Sequence, residues 1–313
     1  MVESKHKWKA WLYLAPAIVL LLIFTVWPII NTLHMSVQEG YNQLAVIGGE
    51  KFSYGFGNFV EVLQYDQFLT CLANTMLLCV LTVPISTFLA LLIAVCLNAI
   101  KPLQRLLQTI FFLPYVTNSI AIGMVFAAMF NMVGSAFGGE NELIVTAGIV
   151  NNVIEFFGGT AINWINSGSS YWPNIWVMVI YIVWNALPFK ILILLGGLQS
   201  VNKQYYDAAK VDGTRRVRVF TRITVPLLSP MLAYVVITGF IGGFKEYSSI
   251  VGIFGDDMGP AGAPRRLNTM VGFIYDSLAT KQGRASAAAL ILFAIIFVVT
   301  MINLYVSKKK THY

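Results

Sequence analysis

The sequence predicts an all-α, polytopic membrane protein: one domain, residues 1–313, crossing the bilayer as six transmembrane helices. Three observations carry this. First, 57% of the residues are hydrophobic and only 11% charged, with a mean hydropathy of +0.71. A soluble domain carries about 25% charged residues. Second, the apolar residues gather into six runs near the ~20 residues that span hydrocarbon, and backbone groups there need internal partners, so the runs must be helices. Third, the positive charges are sorted by side. Fourteen of the 21 Lys and Arg fall on the side of the two termini and residues 202–225, five on the other, and Lys190 and Lys245 lie within spans. That bias predicts cytoplasmic termini and a cell-membrane location.

Taken in order, the spans are expected at 11–30, 71–100, 106–130, 172–198, 227–250 and 287–306. The first follows Lys5, Lys7 and Lys9; its length, and the lack of an A-x-A cleavage site, favour a retained helix over a signal peptide. Trp8, Trp11 and Trp27 suit its two interfaces. The second holds all three cysteines, Cys71, Cys79 and Cys96, which read as buried packing thiols. Pro114 in the third and Pro188 in the fourth can kink their helices. Between these two spans, Leu143 to Phe157 reads equally well as a surface helix or a structured loop. The fifth carries Gly239, Gly242, Gly243, Lys245 and Glu246, and the sixth ends in Lys308-Lys309-Lys310.

The net charge of +7 sits in short loops, as orientation signals do, and gives no reason to expect nucleic acid. The chain has no G-x-x-x-x-G-K-[ST] phosphate loop, no H-E-x-x-H and no nucleophile elbow. No metal, cofactor or catalytic site is expected in it.

The stretch 202–230, NKQYYDAAKVDGTRRVRVFTRITVPLLSP, is a polar, basic island between two apolar segments. Asn202 is a candidate N-cap for a short helix, and Asp212-Gly213 is a turn signal that ends it. Thr214 to Thr224 reads as a second helix with Val217, Phe220 and Ile223 three residues apart. The order D-A-A-x-x-D-G, then F-x-x-I-x-x-P, resembles the EAA loop of binding-protein-dependent ABC importer permeases. The matching residues are Ala208, Ala209, Asp212, Gly213, Phe220, Ile223 and Pro226, with Asp207 standing for the family's Glu, Thr214 for its Ala and Val225 for its Leu. Other elements resemble the sugar-type members: Leu14 to Ala17, Trp27-Pro28, Phe56-Gly57-Asn58-Phe59, Asn163-Trp164, Gly259-Pro260, Tyr275 and Gly283 to Ala287.

The resemblance implies a type I ABC importer permease fold, with 202–225 as the loop that docks on an ATPase through Asp207, Ala208, Ala209, Asp212, Gly213, Phe220 and Pro226. It implies a second related permease, two ATPase subunits that bind ATP and Mg, an extracellular solute-binding protein and a carbohydrate substrate. It also implies a substrate pathway along the third, fourth and fifth helices. The positions there are Tyr115, Asn118, Ser119, Asn185 and Phe189, and on the fifth helix Gly239, Gly243 and Glu246, where the family carries small hydroxyl or amide residues instead. Tyr, Asn and Ser offer the flat faces and hydrogen-bonding groups a sugar needs; each alone is equally suited to joining helices. Glu246 can line the pathway or lie at headgroup level. Lys190 is expected to snorkel its charge toward the interface. Another ABC import class and an ion-coupled secondary transporter remain as alternatives.

Overall fold

The computed structural model describes residues 7–49, 51–100, 104–137 and 143–310. The chain begins with Lys7–Leu21 (α1), one wide π turn at Leu22–Val26, and Trp27–Val37 (α2), which run on as continuous helix. Pro28 lies just after the π turn, inside this continuous helix, and has no N–H to give the preceding turn. Two short helices, Gln43–Ile47 (α3) and Gly57–Gln64 (α4), lead to Asp66–Ala99 (α5). Gln104–Val116 (α6) and Ser119–Phe130 (α7) precede the strands Met132–Phe137 (β1) and Leu143–Ala147 (β2). Next come Ile149–Phe156 (α8), Tyr171–Ser200 (α9), Lys203–Val211 (α10), Arg216–Val219 (α11), Val225–Leu227 (α12) and Ser229–Phe244 (α13). Ser248–Phe254 (α14), Met270–Leu278 (α15) and Gln282–Lys310 (α16) complete the chain.

Among the described residues, four helical segments are long and apolar enough to cross a membrane: Trp11–Val37, Asp66–Ala99, Tyr171–Ser200 and Gln282–Lys308. Arg216–Leu227 and Ser229–Phe244, which meet at 68°, make a fifth if counted as one bent span. The third expected span is two helices rather than one. It breaks at Thr117–Asn118, just beyond Pro114, because Asn118 caps α7: its Oδ1 accepts from the N–H of Ile120 (2.9 Å) and Ala121 (3.4 Å). The expected helix over 227–250 is likewise interrupted at 245–247, just before α14, where Glu246 accepts from Ser249 N. The all-α expectation needs one addition. β1 and β2 pair antiparallel with a slip between Gly134 and Ala136, and the β-branched Val133, Ile144, Val145 and Thr146 favour extended backbone. Leu143 to Phe157 is therefore strand followed by helix.

The chain divides into two compact units, described separately. The first takes in the described parts of Met1–Leu69 together with Gly272–Phe293. Its centre is Asn58, buried, whose amide donates to Ser36 O (2.9 Å) and Gln38 O (2.6 Å) and accepts from Gly40 N (3.2 Å). Gly283 packs on that amide so closely that a Cβ would lie 2.8 Å from Asn58 Nδ2. This explains together the glycine of the 283–287 element and the Asn of Phe56–Phe59. Glu61 binds both Lys281 (2.7 Å) and Arg284 (3.4 Å), and Arg284 lies over the ring of Tyr65 at 4.7 Å.

The second unit takes in Thr70–Val271 and the described part of Ala294–Tyr313. Its helices pack through Ile175, Met178, Tyr181, Leu194 and Leu195 of α9. In lipid the hydrophobic effect adds little between helices, so close packing and hydrogen bonds must hold them. Both are present. α7 crosses α14 at Gly123 and Gly252, where a Cβ on Gly123 would come within 2.7 Å of Gly252 Cα. Asn74 of α5 accepts from Tyr171 OH (2.8 Å) and donates to Arg266 O (3.0 Å) and Asn268 O (2.9 Å), while Thr75 accepts from Met270 N (3.0 Å). Arg266 in turn donates to Ser169 O and Asn174 Oδ1. Cys71 and Cys79 are buried as expected, but Cys96 is exposed.

Candidate functional site

Four helices of the second unit, α5, α6, α9 and α13, enclose a cavity of about 250 Å³. Tyr115 of α6, Asn185 and Phe189 of α9, and Gly243 with Glu246 at the end of α13 all line it. The rings of Tyr115 and Phe189 stack at 5.8 Å and 17°, giving one wall a flat apolar face. Hydroxyls of Thr82, Ser86 and Thr238, each donating to a carbonyl of its own helix, add acceptor oxygens. On the α13 side, Gly239 and Gly243 let neighbouring side chains approach closely. A Cβ on Gly239 would lie 3.2 Å from Lys190 Nζ, and one on Gly243 would lie 2.7 Å from Cys79 Sγ.

Two intramembrane charges belong to this cavity. Lys190 does not snorkel: it is 4% exposed. Its ammonium donates to Ser86 Oγ (2.6 Å), Thr87 Oγ1 (3.0 Å) and Val83 O (3.3 Å), all on α5. One turn of hydroxyls and a carbonyl thus solvates the cation where lipid cannot, and its charge bolts α9 to α5. Glu246 is handled differently. Its Oε1 accepts from Ser249 N (3.3 Å), so the carboxylate faces the positive end of α14.

Asn118 and Ser119 do not line the cavity. Asn118 is the α7 cap. Ser119 is engaged with Tyr181: the two hydroxyls lie 3.0 Å apart, and Tyr181 OH donates to Ser119 O (2.6 Å).

The second candidate site is the polar knob at 202–226. Asn202 Oδ1 accepts from Gln204 N (3.0 Å) and starts α10. Gly213, at φ +63°, ends it. Gly213 N reaches Lys210 O (3.1 Å) and Thr214 N reaches Ala209 O (3.0 Å), closing the helix C-terminus as only a left-handed residue permits. The second limb starts at Arg216, two residues later than the pattern suggested. Tyr206 OH and Thr224 Oγ1, 3.4 Å apart, join the limbs. Ala209 is buried inside the elbow, whereas Asp207, Ala208, Asp212 and Gly213 are exposed; Phe220 is half-buried and Pro226 exposed. Val211 (89%) and Val217 (73%) are exposed apolar residues on an otherwise basic surface.

Residues 67–312 match the family model for the binding-protein-dependent transport system inner membrane component. The chain belongs to this family. It is a multi-pass membrane permease. The lactose transport system permease of Rhizobium radiobacter is 29% identical over 294 residues, covering 94% of this chain and 91% of that protein. The arabinooligosaccharides transport system permease of Bacillus subtilis is 29% identical over 301 residues, covering 95% and 88%. Among solved structures, a bacterial ABC transporter involved in import of the acidic polysaccharide alginate superposes with a TM-score of 0.76 over 98% of both chains. At 20% identity this likeness shows the fold.

Sequence reasoning on the permease missed the α5 contribution to its cavity: Thr82, Val83 and Ser86. A signal was available. Ser86 and Thr87 are adjacent and follow Thr82 by about one helical turn in an apolar span, and an intramembrane lysine needs such polar partners.

Proposed function

We propose that this permease forms half of a translocation pathway for a sugar or oligosaccharide handed over by an extracellular solute-binding protein. The observation that carries the reading is the cavity itself. A stacked Tyr115–Phe189 wall beside Asn185 and three hydroxyl side chains suits a polyol with apolar ring faces. Relatives named for lactose and for arabinooligosaccharides support the same substrate class.

The knob is the docking point for an ATPase subunit. A second, related permease completes the pathway, and two ATPase subunits bind ATP and Mg. The termini and knob face the cytoplasm, as the charge distribution favours. Mechanically, the knob continues through α12 and the 68° bend into α13, the helix that carries Gly239 and Gly243. At that bend α13 and α9 are locked together. Leu228 is buried among Leu194, Leu195 and Leu198, and a Cβ on Gly197 would lie 2.8 Å from Met231 Cγ. ATPase closure that moves the knob therefore moves two walls of the cavity.

The test is reconstitution of the full complex in liposomes with its solute-binding protein and a panel of mono- and oligosaccharides. Sugar-loaded binding protein should stimulate ATP hydrolysis and uptake together. Stimulation by amino acids or peptides and by no sugar would overturn the substrate class.

A further inference from the structure

The knob ends of α13 and α16 leave between them a cleft of about 370 Å³. Its walls are apolar, with Leu232, Val236 and Ile237 on α13 facing Val306 on α16, and its edge is polar, with Ser229 and Asn303. The sequence flanking that edge carries charge of one sign. Ser307, which also lines the cleft, is followed by Lys308, Lys309 and Lys310, and Arg222 precedes the lining residue Val225 by three positions. Neither 214–245 nor 282–313 contains a single Asp or Glu to offset these cations.

An apolar slot between two membrane helices, with hydroxyl and amide groups and a run of lysines next in sequence, has the polarity profile of a phospholipid. We propose that the cleft binds an anionic phospholipid, its acyl chain between α13 and α16 and its phosphate against the basic edge. Charge complementarity selects this occupant: a zwitterionic lipid would fill the slot but gain little from the lysines, whereas basic segments at a membrane surface attract acidic headgroups. The inference rests on the chain being a membrane permease and is independent of the sugar it carries. Because α13 also lines the cavity, a lipid here would brace the helix that links the knob to the pathway.

The experiment uses the complete complex, purified in mild detergent from membranes containing phosphatidylglycerol and phosphatidylethanolamine, with retained lipids quantified by mass spectrometry. Phosphatidylglycerol should be retained preferentially. Ala233→Phe, which fills the cleft, and the triple change Lys308→Gln, Lys309→Gln and Lys310→Gln should each lower it about fivefold or more while leaving phosphatidylethanolamine unchanged. The triple variant alters the chain end beyond the cleft, so it remains informative if Ala233→Phe fails to assemble. Unchanged phosphatidylglycerol in the triple variant would overturn the proposal. So would parallel loss of both lipids, or a cross-link from position 236 to a second permease in place of lipid.

Discussion

The knob at 202–226 and the cavity between α5, α6, α9 and α13 use their polar residues in opposite ways. The knob puts Asp207, Asp212 and a run of arginines outward and leaves Val211 and Val217 uncovered. Its backbone is organised by local devices, the Asn202 cap and the Gly213 elbow, within one short stretch. The cavity turns Ser86, Thr87 and Lys190 inward on each other, and its residues come from positions 82 to 246. In the reading proposed above, one surface is completed by another protein, while the other is already internally solvated. A region waiting for a partner should tolerate substitution without unfolding. A region that holds helices together should not.

The largest effect expected from that contrast is at the elbow. Proline holds φ near −65°, and Gly213 needs +63°. Gly213→Pro should reduce ATP-driven uptake by at least about tenfold and release the ATPase on purification. The permease itself should stay in the membrane at normal abundance. Normal uptake in this variant would break the knob half of the comparison.

On the cavity side, Glu246→Leu should remove most uptake, because it deletes both a pathway acceptor and the carboxylate facing α14. Glu246→Gln keeps an oxygen for Ser249 N and should retain uptake within about threefold, the order of a neutral for a charged hydrogen bond. Equal, undiminished uptake in both would place the substrate nearer Tyr115 and Asn185 than Glu246.

A smaller, purely energetic effect concerns the buried cation. Ser86→Ala removes the shortest bond to Lys190 and should destabilise the permease by about 1–3 kcal/mol, read as a lower thermal midpoint. Lys190→Met in the same background should restore much of that loss. Thr87 keeps its own bond to Val83 O (2.7 Å), so it is not orphaned when the ammonium goes. Absence of rescue would mean that Ser86 acts through packing rather than as a ligand of the cation.

The same contrast explains what could be read in the sequence. The knob was legible because helix caps, a glycine turn and the motif residues act within a few positions of one another. The long spans were legible from apolar run length, but their interruptions were not. Asn118 and Glu246 each accept from backbone N–H groups at the start of the following helix, and nothing in hydropathy distinguishes them from residues that face a pathway. Tyr115, Asn185, Phe189, Gly243 and Glu246 do meet at one cavity. The wall supplied by α5, and the burial of Lys190, depend on which helices become neighbours, and periodicity does not encode that. Among the basic residues of 251–285, Lys281 and Arg284 pair with Glu61, and Arg266 donates to Ser169 O and Asn174 Oδ1, contacts that hydropathy does not encode.

The central claim is that the knob at 202–226 is the face on which an ATPase docks. It is tested most directly by a photoreactive amino acid at position 211, the most exposed apolar residue of the knob, in the assembled complex in native membranes. Illumination should give a covalent adduct with the ATPase subunit, lost in the Gly213→Pro background, and the same group at position 44 should give none. An adduct between position 211 and the solute-binding protein, or an ATPase adduct from position 44, would contradict both the docking role and the orientation.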